Sequence, residues 1–257
     1  SLNLNPAIAY QVTDWLALAL GAQVQYASVE LDAVGPLALE GDDIGVGLTA
    51  GVLLTPWQGT QIGLGYRSRI DHELEGELES PLGTLDLVAE DFDLPDTVTL
   101  GLRQSITDDI RMVAGVEWSN WSRFETVSVA APPLTVPLAF NYDDGWFFSA
   151  GGEFDLNPQL TLRAGIGYEL SPIDDANRSF RLPDSDRLWL SAGGSYKAGE
   201  RWSLDAAYSF ILPEETEILA AGDGGPSGNG PFSGEGDAQI HIVSAAVKIK
   251  LGGAAHQ

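Results

Sequence analysis

Residues 159–170 read QLTLRAGIGYEL, in which apolar positions alternate with small or charged ones from end to end. Leu160, Leu162, Ala164, Ile166, Tyr168 and Leu170 fall on one face; Thr161, Arg163, Gly165, Gly167 and Glu169 fall on the other. A period of two is the signature of an extended strand, whose successive side chains point to opposite sides. About eleven such segments recur, near 2–12, 15–32, 43–55, 60–72, 94–106, 110–129, 144–156, 159–170, 184–197, 201–213 and 237–251. Many are twice the length of an ordinary globular strand. Short turns at 13–14, 56–59, 107–109, 157–159 and 198–200 alternate with long connections at about 33–42, 73–93, 130–143, 171–183 and 214–236. That alternation predicts an all-β protein, an antiparallel up-and-down meander of the transmembrane β-barrel kind.

The two faces decide which way the strands point. Ile62, Leu64 and Tyr66 share a side, as do Val98, Leu100 and Leu102, and Trp202, Leu204, Ala206, Tyr208 and Phe210. Opposite them stand Gly63, Gly65 and Arg67; Thr99, Gly101 and Arg103; and Ser203, Asp205 and Ser209. A soluble sandwich also has apolar inner faces, but strands of this length suit a bilayer, where about 9–11 tilted residues make one crossing. The apolar face is therefore expected against lipid and the small and charged face in the lumen. Trp15, Trp57, Trp118, Trp146 and Trp202, near strand ends, are expected as interfacial girdle residues. The barrel domain is placed at 1–251 and a tail at 252–257. Ser1 leads directly into a strand, so the beginning reads as a cut.

Composition narrows the chemistry. The chain carries 37 acidic and 13 basic residues, a formal net charge of -24, and no cysteine. A nucleic-acid partner would need clustered Lys and Arg, and without cysteine there are no disulfides, thiolate nucleophiles or Cys-ligated metals. Acidic residues crowd two long connections: Asp71, Glu73, Glu75, Glu77, Glu79, Asp86, Glu90, Asp91 and Asp93, and then Glu214, Glu215, Glu217, Asp223, Glu235 and Asp237. They read as solvated loops, with cation bridging to anionic surface lipid as the functional alternative. His72, His241 and His256 are the only histidines, and none has an evident nucleophile or a GxSxG motif beside it. No enzyme, cofactor or metal site is expected.

Three stretches carry a resemblance: GYRSRIDHELEGEL (65–78), LPDTVTLGLRQSITDDIRMVAGVEWSNWSRFE (94–125) and LRAGIGYELSPIDDANRSFRLPDSDRLWLSAGGSY (162–196). Together with NPAIAYQVTDWLALALGAQVQYASVEL (5–31), they resemble the FadL family of outer-membrane transporters, with PDSDRLW the most specific part. The resemblance implies location in a bacterial outer membrane, a monomer surrounded by outer-membrane lipid, and transport of long-chain fatty acids or other hydrophobic small molecules. It also implies a fourteen-strand pattern with an N-terminal hatch, of which this chain would supply about strands four to fourteen. The hatch and the kinked third strand have no counterpart in this sequence, so strand edges near Asn5 and Ile242 are expected to be open.

The turn-and-loop alternation gives each inward residue a height. Toward the long loops lie Arg67, Arg69, Trp121, Arg123, Phe147, Glu169, Arg187 and Trp189. Aromatics can cover an alkyl chain and a guanidinium can grip a carboxylate through two parallel hydrogen bonds, so this upper set is the candidate ligand site. Alternatively the rings fill the lumen and the arginines pair with Glu125 and Glu169. Toward the short turns lie Arg103, Arg111, Glu153, Arg163, Lys197 and Asp205, expected to be structural, with Glu153 facing Arg163 across the 157–159 turn. In LPDSDRLW (182–189), Asp184 and Asp186 are expected to cap the turn and hold Arg187. Inward glycines suggest either close approach of another element or aromatic rings lying on bare backbone. The remaining alternatives are a general diffusion porin and a structural or adhesive barrel acting through its acidic loops.

Overall fold

A computed structural model describes residues 1–32, 38–80, 83–132, 134–178, 182–220 and 232–250. All eleven period-two segments contain strand. In chain order the elements are β1 (Leu2–Leu4), β2 (Ala7–Thr13), β3 (Leu16–Asp32), β4 (Ala38–Leu54), β5 (Thr60–Arg67), β6 (Ile70–Ser80), β7 (Gly83–Leu94), β8 (Thr97–Ser105) and β9 (Ile110–Ser119). A 3-10 turn, Trp121–Arg123, follows, then β10 (Thr126–Ala131), β11 (Leu134–Ala139), β12 (Gly145–Asn157), β13 (Leu160–Leu170), β14 (Arg187–Lys197) and β15 (Trp202–Pro213). The last elements are β16 (Thr216–Ala220), β17 (Phe232–Gly236) and β18 (Ile240–Ile249). The proposed tail, 252–257, lies outside the described residues.

The wall is one antiparallel sheet. Strands β8, β9, β12, β13, β14, β15 and β18 pair in that order, each with its neighbour. On the other side β5 pairs β8 and β4, and β4 pairs β3, which carries β1 and β2. The sheet is open among the described residues: β18 pairs only β15, and β1 and β2 pair only β3. Leu162, Ile166 and Tyr168 of β13 are exposed while Thr161 and Gly167 on the opposite face are buried. Leu100 and Leu102 on β8 and Leu204 and Tyr208 on β15 are likewise exposed. A continuous exposed apolar face, with every central backbone group paired sideways, is what hydrocarbon requires of a β protein. Trp118 and Trp146 sit side by side across β9 and β12 at the long-loop end, while Trp15 and Trp202 lie near the short turns. Trp57 stands in the 56–59 turn itself.

Several connections carry more structure than the alternation suggested. The 73–93 stretch is mostly the β6–β7 hairpin, 130–143 contains β11, and 214–236 contains the separate pair β16–β17. The segment 110–129 is not one strand. After Ser119 the chain turns: Asn120 N donates to the Asp96 carbonyl at 2.9 Å, Ser122 Oγ bonds the Asn120 side chain, and Trp121–Arg123 form the 3-10 turn. Short polar side chains that bond locally in this way compete with the strand ladder. Trp121 and Arg123 therefore stand above the wall, not on it.

The segment 60–72 is also broken. The lower part of β4, Thr49–Leu54, pairs β5, and its upper part, Ala38–Asp42, pairs β6. Residues 43–48 lie between these ladders. Ser68 bridges the lower end, its N donating to the Leu48 carbonyl and its Oγ accepting from Leu48 N, both at 2.8 Å. Beyond it, Ile70 and His72 lie on the inner face of β4, against Gly45 and Gly47. A Cβ at Gly45 would come within 2.8 Å of His72 Cε1, so only glycine admits this crossing. The partner strand breaks at the same level, at Pro95–Asp96, where proline has no N–H to donate.

Candidate functional site

The lower inward charges form one chain of contacts. Arg111 on β9 grips Asp155 with both terminal nitrogens, at 2.6 and 2.8 Å, and places its Nε 2.8 Å from Glu153 Oε2. Glu153 also accepts from Arg163 Nε at 2.8 Å, the cross-hairpin pair expected from the sequence, and from Arg103 at 3.3 Å. Arg163 Nη1 donates to Ser195 Oγ at 2.6 Å, Ser195 donates to Asp205, and Lys248 Nζ lies 2.8 Å from Asp205. Seven strands, from β8 to β18, are thus tied at one level. Lys197 stands at the end of β14 with no ion pair among the described residues.

The upper set separates into three places. On the β12–β14 wall, Phe147 and Trp189 meet edge to face with centroids 5.9 Å apart. Phe147 lies over the bare backbone of Gly167. Glu169 accepts from Trp189 Nε1 at 3.0 Å and stands 3.4 Å from Arg187 Nε. Arg187 also pairs with Asp184, while Asp186 accepts from Ser171 N at 2.8 Å. Arg187 is therefore matched by two carboxylates.

The second place is the break in the wall. Arg67 Nη1 donates to Gln23 Oε1 at 2.8 Å; Gln23 is almost completely buried, and Arg67 has no carboxylate partner among the described residues. Arg69 pairs with Asp71 at 2.9 Å, and Arg123 stands 3.7 Å from Asp96. Asp96 is fixed by Tyr66 Oη at 2.7 Å and by the backbone N of Arg69 at 3.1 Å.

Trp121 belongs to a third place, an aromatic cluster beneath the β10–β11 hairpin. Its ring meets Phe124 at 6.1 Å and Tyr142 at 6.5 Å, and Phe92 and Phe140 complete the group around buried Leu74, Ala89 and Val127. These rings pack on one another and fill the space beneath the hairpin.

Sequence reasoning missed Gln23, Asp96 and the cluster partners of Trp121. Gln23 sits among the inward residues of β3 and could have been found by parity. Phe124, Phe140 and Tyr142 fall where the alternation is lost, and only their density near 121–142 marks them. The inward glycines divide. Gly167 is covered by a ring and Gly151 and Gly193 by neighbouring carbonyls, whereas Gly63 and Gly101 face open space.

Comparison with known proteins agrees with this architecture. A family profile described as Outer membrane protein transport protein (OMPP1/FadL/TodX) matches residues 1–250. The chain is 25% identical over 271 residues to Outer membrane protein P1 of Haemophilus influenzae, covering 87% of this chain and 59% of that protein. It is 24% identical over 292 residues to a Long-chain fatty acid transport protein of Escherichia coli O6:H1, covering 93% of this chain and 64% of the other. The chain thus spans roughly six-tenths of the length of these relatives. Among solved structures, a Pseudomonas aeruginosa FadL homologue superposes with a TM-score of 0.85 at 22% identity, over 96% of this chain and 67% of that one. The Ralstonia pickettii toluene transporter TbuX gives 0.67 at 19% identity, over 95% and 66%. With an exposed apolar outer face, a charge-tied inner face and a profile match over nearly its whole length, this chain belongs to the OMPP1/FadL/TodX family of outer-membrane transport proteins.

Proposed function

We propose that the chain forms the wall of a monomeric conduit that passes hydrophobic small molecules across the outer membrane by binding in the lumen and passive release, with long-chain fatty acids among them. One observation carries the fatty-acid reading. Arg67 faces the lumen with only the neutral Gln23 as partner among the described residues, in an upper lumen where Arg187 is already matched by Glu169 and Asp184. A guanidinium without a carboxylate is the natural receptor for one. Phe147 and Trp189 supply apolar surface on the facing wall for the alkyl chain. The lower set, Arg103, Arg111, Glu153, Arg163 and Asp205, holds the wall, and Lys197 ends it.

A second reading is favoured by the saturation of Arg187, which leaves the Phe147–Trp189 pair suited to a neutral hydrocarbon; one structural relative is a toluene transporter. Quenching of tryptophan fluorescence by a brominated fatty acid, and by a neutral brominated aromatic, separates the two. Arg67→Gln weakens the acid about tenfold and leaves the neutral compound unaffected. Equal binding of the acid to both proteins removes Arg67 from the site and favours the neutral cargo.

A further inference from the structure

The break in the wall leaves a recess of about 870 Å³ lined by Val24, Val46, Leu48 and Tyr66 and by Arg69 and Arg123. The four apolar residues belong to the exposed face of β3, β4 and β5, while Gln23 and Gly47 line the recess from the inner face, so it spans the break and its outer side opens toward the bilayer. Because Ile70 and His72 of β6 cross behind β4, this part of the surface is concave. Tyr66 and Trp118, hydrogen-bonded at their polar tips to Asp96 and Asp144, set its upper rim at the level of the interfacial aromatics.

We infer that this recess seats an outer-leaflet lipid bearing a phosphate headgroup, with an acyl chain on Val24, Val46 and Leu48 and the phosphate between Arg69 and Arg123. Charge selects the position. Arg69 and Arg123 stand beside Asp71 and Asp96 in this recess, whereas the β6–β7 hairpin above carries Glu73, Glu75, Glu77, Asp86 and Glu90 and repels anions. Arg69 and Arg123 each engage a carboxylate through Nε, are close to half exposed, and among the described residues keep their terminal nitrogens for another acceptor. Two guanidiniums sharing one phosphate is a recurrent recognition geometry. A transported acid enters through the lumen; this ligand enters from the membrane and stays.

Native mass spectrometry of the folded chain, released from micelles doped with dioleoyl phosphatidic acid, tests the assignment. The expected result is one retained phosphatidic acid per chain and little phosphatidylcholine. Retention falls at least fivefold in the Arg69→Gln/Arg123→Gln double variant, persists in the matching Lys double variant, and falls again in Val46→Trp, which fills the floor without touching either arginine. Circular dichroism establishes that each variant is folded. Equal retention in the Gln double variant overturns the proposal. Displacement of the lipid by excess oleate also overturns it, because the recess then belongs to the transport route. Fatty-acid binding at Arg67, measured separately, stands or falls independently of this outcome.

Discussion

His72 Nδ1 lies 2.8 Å from Asp43 Oδ2, and the imidazole is wholly enclosed on a stretch of β6 that pairs β7 but has no ladder with β4. The contact joins the inward-crossing part of β6 to the inner face of β4, where Gly45 makes room for the ring. It takes the place of the missing backbone bonds.

Removing that tie should loosen β6 locally. His72→Ala is expected to lower the local opening free energy by about 2 kcal/mol. Hydrogen exchange followed residue by residue should accelerate at Ile70–Leu74 and stay unchanged over Thr60–Arg67.

The lower ion pairs should differ sharply in value. Arg111 makes a two-pronged contact with Asp155 and a third with Glu153, and its side chain is 13% exposed; Arg103 makes one long contact and is 44% exposed. Arg111→Ala is expected to cost about 2 kcal/mol and Arg103→Ala less than about 0.5 kcal/mol. Urea unfolding in a fixed lipid measures both.

Glycines facing each other across strands are not equivalent. A methyl at Gly76 runs into the backbone carbonyl of Glu40, which cannot turn aside, whereas one at Gly101 meets nothing within 4 Å. Gly76→Ala should unseat β6 from the upper part of β4 and lower the folded yield several-fold. Gly101→Ala should refold like the parent.

Asp144 gives the turn above β9 a pH dependence. Burial pushes its carboxyl upward, but hydrogen bonds from Ser122 and from Trp118 Nε1 outweigh this and hold it below the ordinary carboxylate value. A depressed folded value means that the contribution is complete above the unfolded value of about 3.9 and is lost as pH falls through the folded one. Tryptophan emission should therefore shift as the pH drops below about 4, and Asp144→Asn should remove that transition.

The period of two made the wall legible. It located the eleven wall segments, their faces and the Glu153–Arg163 pair. It could not show where a strand leaves the wall, because alternation continues through the break. Ile70, His72 and Leu74 keep the parity of Ile62, Leu64 and Tyr66, yet they lie against β4 and its neighbours and not toward lipid. Gly45 and Gly47, opposite them, were the available signal. The upper residues were likewise read as one site because parity gives height and side but not position around the circumference. Arg67, Trp121 and Trp189 consequently fall in three different places.

The seven-strand belt of charges also acts on assembly. A slip of one residue between any two of β8, β9, β12 and β13 would rotate an arginine or a glutamate onto the lipid face and leave its partner alone in the lumen. Near an interface the exposed arginine alone costs little, about 0–1 kcal/mol. However, the shared carboxylate of Glu153 makes Arg103, Arg111 and Arg163 fail together. The belt thus serves as a checksum on strand alignment, one that only the correct registration of several strands at once can satisfy.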